Sequence, residues 1–492
     1  MESGQVFADF IYEYFLKCFQ FQRYRCGDVL PSINTCCKKF NVADQTVKSA
    51  LKQLRKEGYI SVQQGRPARV IFQQTEEQSN RYIRQFFSER WNVFSDLCQT
   101  IEVVFQPLLI ESFRRFDESD YDILSPFAEQ ANIENIIHFY CFVLQKMKNP
   151  LILNLFWECL LFLGFPYISD RTLEYYSAEI AQKRLQDIIR TAKTGEWQRL
   201  DEFLSAFWRE FVAAASNSIE PYLLPIPADR QITFVWRIYR GRPQICYNLA
   251  TRIMYEIYLG RYRGQQFLPS YEKLAEEYRV SVNTVRRTIR LLTQLRVTLP
   301  ISGKGIRISS LGDSTEQPDL TVPAIVRNLA LFFQSFELLL YSCENVVRST
   351  LSSLDQEEKS KMISQLKDYL DAENCELAPW CILISAAMRA PLQGFREIYA
   401  NIYGLALWGY PLKASQGKYP AVDDKAVWLT ESLVKYLAAD DIESCTAAFK
   451  EFVSIALPSI EKYLNLFGIE HAELQMSPSA RKYYQTISMT DV

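Results

Sequence analysis

Two short stretches of this chain carry amide, hydroxyl and basic side chains at helical spacing. The first holds Gln45, Thr46, Lys48 and Ser49. The second holds Asn283, Thr284, Arg286 and Arg287, with Arg290 one turn further on. An amide can pair the edge of adenine, and a guanidinium can pair guanine or clamp a phosphate. Residues three and four apart share a helix face, so each set predicts one polar stripe. The chemistry of such a stripe is recognition of double-stranded DNA rather than bond making. No enzyme is expected. No Gly-x-Gly-x-x-Gly, Walker loop or Gly-x-Ser-x-Gly occurs, so no cofactor site is read. The only two histidines, His138 and His471, are too few for a histidine-rich metal centre, and no metal is expected.

The elements that must hold these stripes occur twice. Arg23–Ser32 reads RYRCGDVLPS and Arg261–Ser270 reads RYRGQQFLPS, an offset of 238. Extended without a gap to Val70 and Ile308, the two segments share 12 identities in 48 positions. Among them are Arg23/Arg261, Arg25/Arg263, Leu54/Leu292, Gly65/Gly303 and Arg69/Arg307. Weaker matches follow at an offset of 241, as in Ser218–Leu223 (SIEPYL) and Ser459–Leu464 (SIEKYL). A period near 240 residues is too long for a solenoid and predicts duplication of a two-domain unit.

Each small repeat predicts helix, turn, helix, helix and hairpin. Apolar spacing makes Phe7–Phe19 a helix. Ser32 stands where an N-cap belongs, and Ser281 caps the third helix of the second copy. Val47, Leu51 and Leu54 face inward in one copy, and Val285, Ile289 and Leu292 in the other. Two short strands then flank Gly65-Arg66-Pro67, and Gly303-Lys304-Gly305 makes the second tip. This pattern is a winged helix-turn-helix, whose third helix enters the major groove while its wing reaches backbone or minor groove. Ser32, Gly65, Arg66, Arg69, Ser270, Gly303 and Lys304 therefore join the stripes as expected DNA contacts.

Charge is distributed to match. Residues 1–73 hold eleven Lys/Arg against six Asp/Glu, and residues 242–310 hold twelve against four. The whole chain is −2, so the remainder carries −15. Positive charge gathers where phosphate contact is expected.

These residues resemble the GntR family of bacterial transcription regulators. The resemblance rests on Gly27-Asp28-x-Leu30-Pro31-Ser32, Val42-x-x-x-Thr46-Val47, Glu57-Gly58-Tyr59-Ile60 and Gly65-Arg66-Pro67-x-x-Val70, and on Leu268-Pro269-Ser270 with residues 280–287 in the second copy. It covers about 70 residues in each half and implies sequence-specific DNA binding. Two family positions depart. Asn34 and Glu272 replace a phosphate-contacting arginine, and Asp44 and Val282 replace the arginine that opens the recognition helix. The second copy, richer in arginine, is expected to be the stronger half.

The long segments between read as helix. Phe139 and Asn149-Pro150-Leu151 resemble the all-helical FCD type of effector domain in that family. Many such domains hold a metal through Asp and three His. Here Tyr140 and Cys381 stand in the ligand positions, so the resemblance implies a metal-free pocket. Tyr140, Trp157, Arg184, Tyr399 and Tyr403 are the expected ligand-binding residues for a small-molecule effector.

The resulting organisation is mainly α, with two winged helix domains alternating with two helical bundles. Residues 1–73 and 244–310 form the winged helices, 81–224 and 319–480 the FCD-like effector or dimerisation domains, and 225–243 a linker. Gln73–Asn80 and Leu311–Pro318 read as further polar linkers. The apolar run Ile232–Tyr239 predicts a packed helix or strand. The most apolar stretch, Leu151–Ile168, contains Glu158, Gly164 and Pro166 and predicts a buried helix rather than a membrane span. No basic leader opens the chain, and twelve cysteines without a CxxC pair suit a reducing, cytoplasmic setting. The expected function is a transcription regulator acting as a monomeric pseudo-dimer or a homodimer. The alternative is a ligand-sensing or protein-interaction scaffold with degenerate DNA-binding domains.

Overall fold

A computed structural model describes residues 2–40, 43–63, 66–168, 173, 175–238, 244–258, 260–309, 318–409, 411 and 420–466. The chain divides into two compact units near residue 240. Each unit holds a winged helix domain followed by a helical bundle, and the protein is mainly α.

The first winged helix comprises α1 (Glu2–Gln20), α2 (Ile33–Phe40), α3 (Asp44–Lys56), β1 (Ile60–Ser61) and β2 (Arg69–Val70). β1 and β2 pair antiparallel, with Ile60 opposite Val70. The second comprises α11 (Gln244–Tyr258), β3 (Phe267–Leu268), α12 (Tyr271–Tyr278), α13 (Val282–Gln294), β4 (Thr298–Ile301) and β5 (Gly305–Ile308). Its sheet has the order β3-β5-β4. The hairpin is legible in sequence, but the third strand is not, because two residues cannot show alternation. In the first copy a single Val29 to Arg69 bridge takes its place.

Inward stripes hold both domains together. Val47, Leu51 and Leu54 of α3 are buried against Ile11, Phe15 and Cys18 of α1. Val285, Ile289 and Leu292 of α13 are buried with Ile253, Met254 and Leu274. Burying each such side chain contributes about 1.5–3 kcal/mol. Leu292→Ala is expected to cost about 2–5 kcal/mol, read as a lower denaturant midpoint. Gly58 follows α3 at a φ of 81°, the left-handed conformation that ends helices.

The first bundle contains α4 (Glu76–Ser88), α5 (Trp91–Arg114), α6 (Glu118–Glu129), α7 (Ile133–Gln145), α8 (Pro150–Leu163), α9 (Ala178–Thr194) and α10 (Trp197–Ile219). The second contains α14 (Pro323–Ser353), α15 (Gln356–Asp371), α16 (Ala378–Arg389), α17 (Gln393–Ala406), α18 (Pro420–Ala438) and α19 (Ile442–Leu466). Within residues 73–80, expected as linker, Thr75 caps and 76–80 open α4. Thr75 accepts from the Gln78 amide and Gln78 returns the bond, a capping box. A solvent-facing first turn is as polar as a tether, so composition does not separate the two. The expected linker at 311–317 lies outside the described residues; Pro318 is described.

α8 shows why Asn149-Pro150-Leu151 works as a helix start. Buried Asn149 accepts hydrogen bonds from the amides of Leu151 (2.9 Å) and Ile152 (3.2 Å), and Pro150 occupies the first turn, where no amide is required. Apart from Asn154 and Glu158 the helix is apolar, and it is buried nearly all round, as a core helix must be. Unlike the shorter α8, α5 and α14 are long and apolar enough to cross a membrane, and more than half of each apolar window is buried in the structure. Gly164 ends α8 at a φ of 79°, and a Cβ there would lie 2.8 Å from Phe86 Cε1. Gly164→Ala is therefore expected to destabilise the first unit by more than about 1 kcal/mol, measured by chemical denaturation.

The run from Ile232 forms neither helix nor paired strand within the described residues. It is an extended strap on the first bundle. Phe234, Trp236 and Ile238 are buried, while Val235 and Arg237 between them are exposed. Trp236 Nε1 donates to Asn154 Oδ1 of α8 at 2.8 Å, and Phe234 meets Phe162 edge to face. The Ile232 amide bonds the Glu89 carbonyl at 2.6 Å, and the Leu224 amide bonds Ser88 Oγ at 2.8 Å. These interactions cover the break between α4 and α5.

Candidate nucleic-acid interface

α13 is built to display its N-terminal turns. Ser281 Oγ accepts from the Thr284 amide at 3.1 Å, satisfying one of the free donors of the first turn. Its inner stripe places Asn283, Arg286, Arg287 and Arg290 outward, and all four are exposed. They follow Asn283 at intervals of three, four and seven, so they share a face. None of the three arginines forms an ion pair with any described residue. Thr284 is half-buried, and its hydroxyl is engaged by Ser281 at 2.9 Å. At the wing, Lys304 is exposed between Gly303 and Gly305, whose φ values of 72° and 107° form the tight tip. Gly305 itself belongs to β5, opposite Ile301.

α3 is a weaker version of the same element. Ala43 stands where Ser281 stands in the second copy, and it supplies no side-chain cap. Gln45 and Lys48 are exposed and Ser49 is half-buried. Lys48 Nζ lies 2.6 Å from Asp44 Oδ2, and this bond holds the Asp44 carboxyl below the usual carboxylate range. The lysine charge is thus partly answered within its own helix. Thr46 corrects the expected outward set: it is buried. It lies one turn before Ala50 and shares that residue's inward line, and its polarity alone does not reveal that face. Lys52, aligned with Arg290 by the 238-residue offset, is exposed and completes the stripe with Gln45 and Lys48. It is absent from the expected contacts, although the repeat offset alone could have identified it.

Ser32 and Ser270 both act as helix caps, accepting from the Thr35 and Lys273 amides at 3.0 and 3.3 Å, and both are exposed. Arg66 is exposed. Arg69 is exposed too, but its Nη1 donates to the Gly27 carbonyl at 2.5 Å. Gly65 lies outside the described residues.

The expected effector residues fall in both bundles, Tyr140, Trp157 and Arg184 in the first and Tyr399 and Tyr403 in the second. Tyr140 and Trp157 are buried in the first bundle, and neither Tyr140 Oη nor Trp157 Nε1 has a hydrogen-bond partner among the described residues. Burial pushes the Tyr140 hydroxyl pKa up. A cavity of about 20 Å³ beside Tyr140 has room for one water. Arg184 corrects the expectation more sharply. It is on the surface, joining α9 to α10 through a two-bond pair with Glu210 at 2.6 and 3.0 Å. In sequence, a charged group beside apolar helix residues resembles a pocket base; in the fold, an acid one helix away answers it. Tyr399 is fully buried and shares a 3.1 Å hydrogen bond with Ser342. Tyr403 packs edge to face between Trp380 and Tyr255, so it joins α17 to α11. Trp408 Nε1 donates to Thr251 Oγ1 of α11 at 2.9 Å and reinforces that joint. No group of three His, Cys, Asp or Glu that would hold a metal occurs among the described residues.

The bacterial regulatory proteins of the gntR family match residues 9–70 and 248–308, the two winged helices. No curated protein matches the chain significantly. Solved structures similar to it include a Streptococcus agalactiae GntR, at 16% identity over 44% of this chain and 99% of its own, with a TM-score of 0.21. Another, described by the words "Lar controls the expression of the Listeria monocytogenes agr system and mediates virulence", matches at 14% identity over 46% of this chain and 98% of its own, also with a TM-score of 0.21.

Proposed function

The chain carries two winged helix domains of the gntR family, and from that premise we propose that it is a sequence-specific DNA-binding transcription regulator with two unlike reading heads. The observation that carries this reading is the exposed stripe of Asn283, Arg286, Arg287 and Arg290 on the capped α13, repeated in attenuated form on α3. Phosphate attraction supplies affinity, and amide and guanidinium groups supply sequence choice. One chain already contains the two recognition helices that paired half-sites require. It therefore acts as a pseudo-dimer on an asymmetric operator, with α13 the tighter half. An ultracentrifuge result showing an obligate homodimer in which each chain gives DNA only one helix would contradict this.

The helical bundles are the proposed effector-responsive and dimerisation parts. In the first, Tyr140 and Trp157 supply polar atoms that a ligand would satisfy, although a molecule larger than water requires side chains to move. Tyr140→Phe separates the possibilities. Without a ligand it removes an unpaired buried hydroxyl and is expected to be neutral or stabilising, by up to about 1–3 kcal/mol. A stability loss of similar size would show that the hydroxyl already has a partner in solution.

The scaffold alternative draws on the Asp44–Lys48 pair and the uncapped start of α3. These features weaken one head and leave the other intact. Binding of a selected duplex by fluorescence anisotropy tests the choice: a scaffold binds no sequence better than random DNA.

A further inference from the structure

The duplication places the same arginines in the same motif twice, and the two copies use them differently. In the first unit Arg23 leaves its winged helix and ties it to the bundle. Its guanidinium donates to the Pro166 carbonyl at 2.5 Å and to Glu134 Oε2 at 2.6 Å. Arg69 is occupied by the Gly27 carbonyl, and Asp28 accepts from the Arg25 amide at 2.7 Å. In the second unit the counterpart of Arg23, Arg261, stays within its own domain with Glu256, Glu277 and Tyr278. Among the described residues Arg261 makes no tie to the bundle, and an open cleft of about 650 Å³ lies between the turn after α11, the end of β5 and the turn before α16.

That volume lies within the range of small-molecule sites. Arg263 and Arg307, counterparts of Arg25 and Arg69, line the cleft, and neither side chain forms an ion pair or hydrogen bond with a described residue. Gln266 stands where the first copy has Asp28, so the acid on that wall is gone. Tyr262 and Phe267 offer ring surface. Across the cleft Asn374 can donate an amide hydrogen bond, and Glu376 sets one negative charge against the two arginines.

We propose that this cleft binds a small organic anion: a carboxylate or phosphate head held by Arg263 and Arg307, on an apolar body packed against Tyr262 and Phe267. Guanidinium groups suit both heads because both accept paired hydrogen bonds. The occupant would bridge the second winged helix to its bundle, doing with a ligand what Arg23 does with protein in the first unit. Any effect on DNA rests on the regulator reading above, whereas binding itself does not.

The test uses the full chain without DNA. Benzoate, hexanoate and phenyl phosphate serve as probes, each beside an uncharged twin (benzyl alcohol, hexanol and phenol), with saturation-transfer NMR and calorimetry as readouts. At least one anion is expected to bind at millimolar concentration or below, and its uncharged twin not to. Carboxylate against phosphate response identifies the head. Arg263→Gln and Arg307→Gln should each weaken binding about tenfold or more, while Arg25→Gln leaves it unchanged. Gln266→Asp restores the acid of the first copy and should weaken binding without altering either arginine, which guards against a variant that fails to fold. Binding of none of the three anions, or equal binding by the wild type and all three cleft variants, would overturn the site. Loss of operator binding with anion binding intact would instead count against the regulator reading alone.

Discussion

Replacing Arg286 and Arg287 together with alanine is expected to weaken binding to a selected duplex by roughly 100-fold or more, since each good base contact is worth about ten- to a hundredfold. Both side chains are exposed on α13 and have no acid partner among the described residues, so their charge is available to DNA. The salt slope should also fall, by about 0.9 for each phosphate no longer neutralised. Unfolding should hardly change, because the inward face of Val285, Ile289 and Leu292 is untouched. Removing two charges from the first copy's stripe, Lys48→Ala with Lys52→Ala (aligned with Arg286 and Arg290), should cost much less. Lys48 is already 2.6 Å from Asp44, so part of its charge is satisfied within the helix. Equal losses from the two pairs would mean that the heads are equivalent and that the asymmetry between α3 and α13 has no consequence for DNA.

Trp236→Ala should be among the most damaging single changes outside the winged helices. The indole is almost fully buried, and its ring nitrogen is bonded to Asn154. Truncating a buried aromatic costs about 3–5 kcal/mol, and Asn154 would lose a partner inside α8. Unfolding by urea, followed in the first unit, should show the midpoint fall accordingly. A cost under about 1 kcal/mol would make the strap a loose tether instead of part of the first core. Asn154→Leu gives a second reading of the same bond, because it removes the acceptor and keeps the volume.

How much of this is legible in the sequence depends on how local each feature is. The inward lines of α3 and α13 are plain, because apolar residues four and seven apart report a helix face directly. The Ser281 cap is equally plain. Thr46 is not, because one turn of helix puts neighbouring residues on different faces, and a hydroxyl does not reveal which. Residues 73–80 look like a tether because a capped, solvent-facing first turn has the same composition. The strap at 232–238 is legible as apolar but not as extended. Its partners, Glu89, Asn154 and Phe162, lie 60 or more residues away in sequence. Arg184 misleads for a related reason, since Glu210 answers it from the next helix. The cleft beside Arg263 is invisible to motif reading. Identical residues in the two copies, Arg23 and Arg261 among them, conceal a difference in partners.

Selection of bound sites from random duplex DNA, at roughly physiological salt because affinity depends steeply on it, tests the two-headed reading most directly. The expected result is an enriched site with two unlike half-sites, one of them conserved more strongly and lost with Arg286→Ala and Arg287→Ala. A site with two identical half-sites, or no enrichment over random sequence, would contradict it.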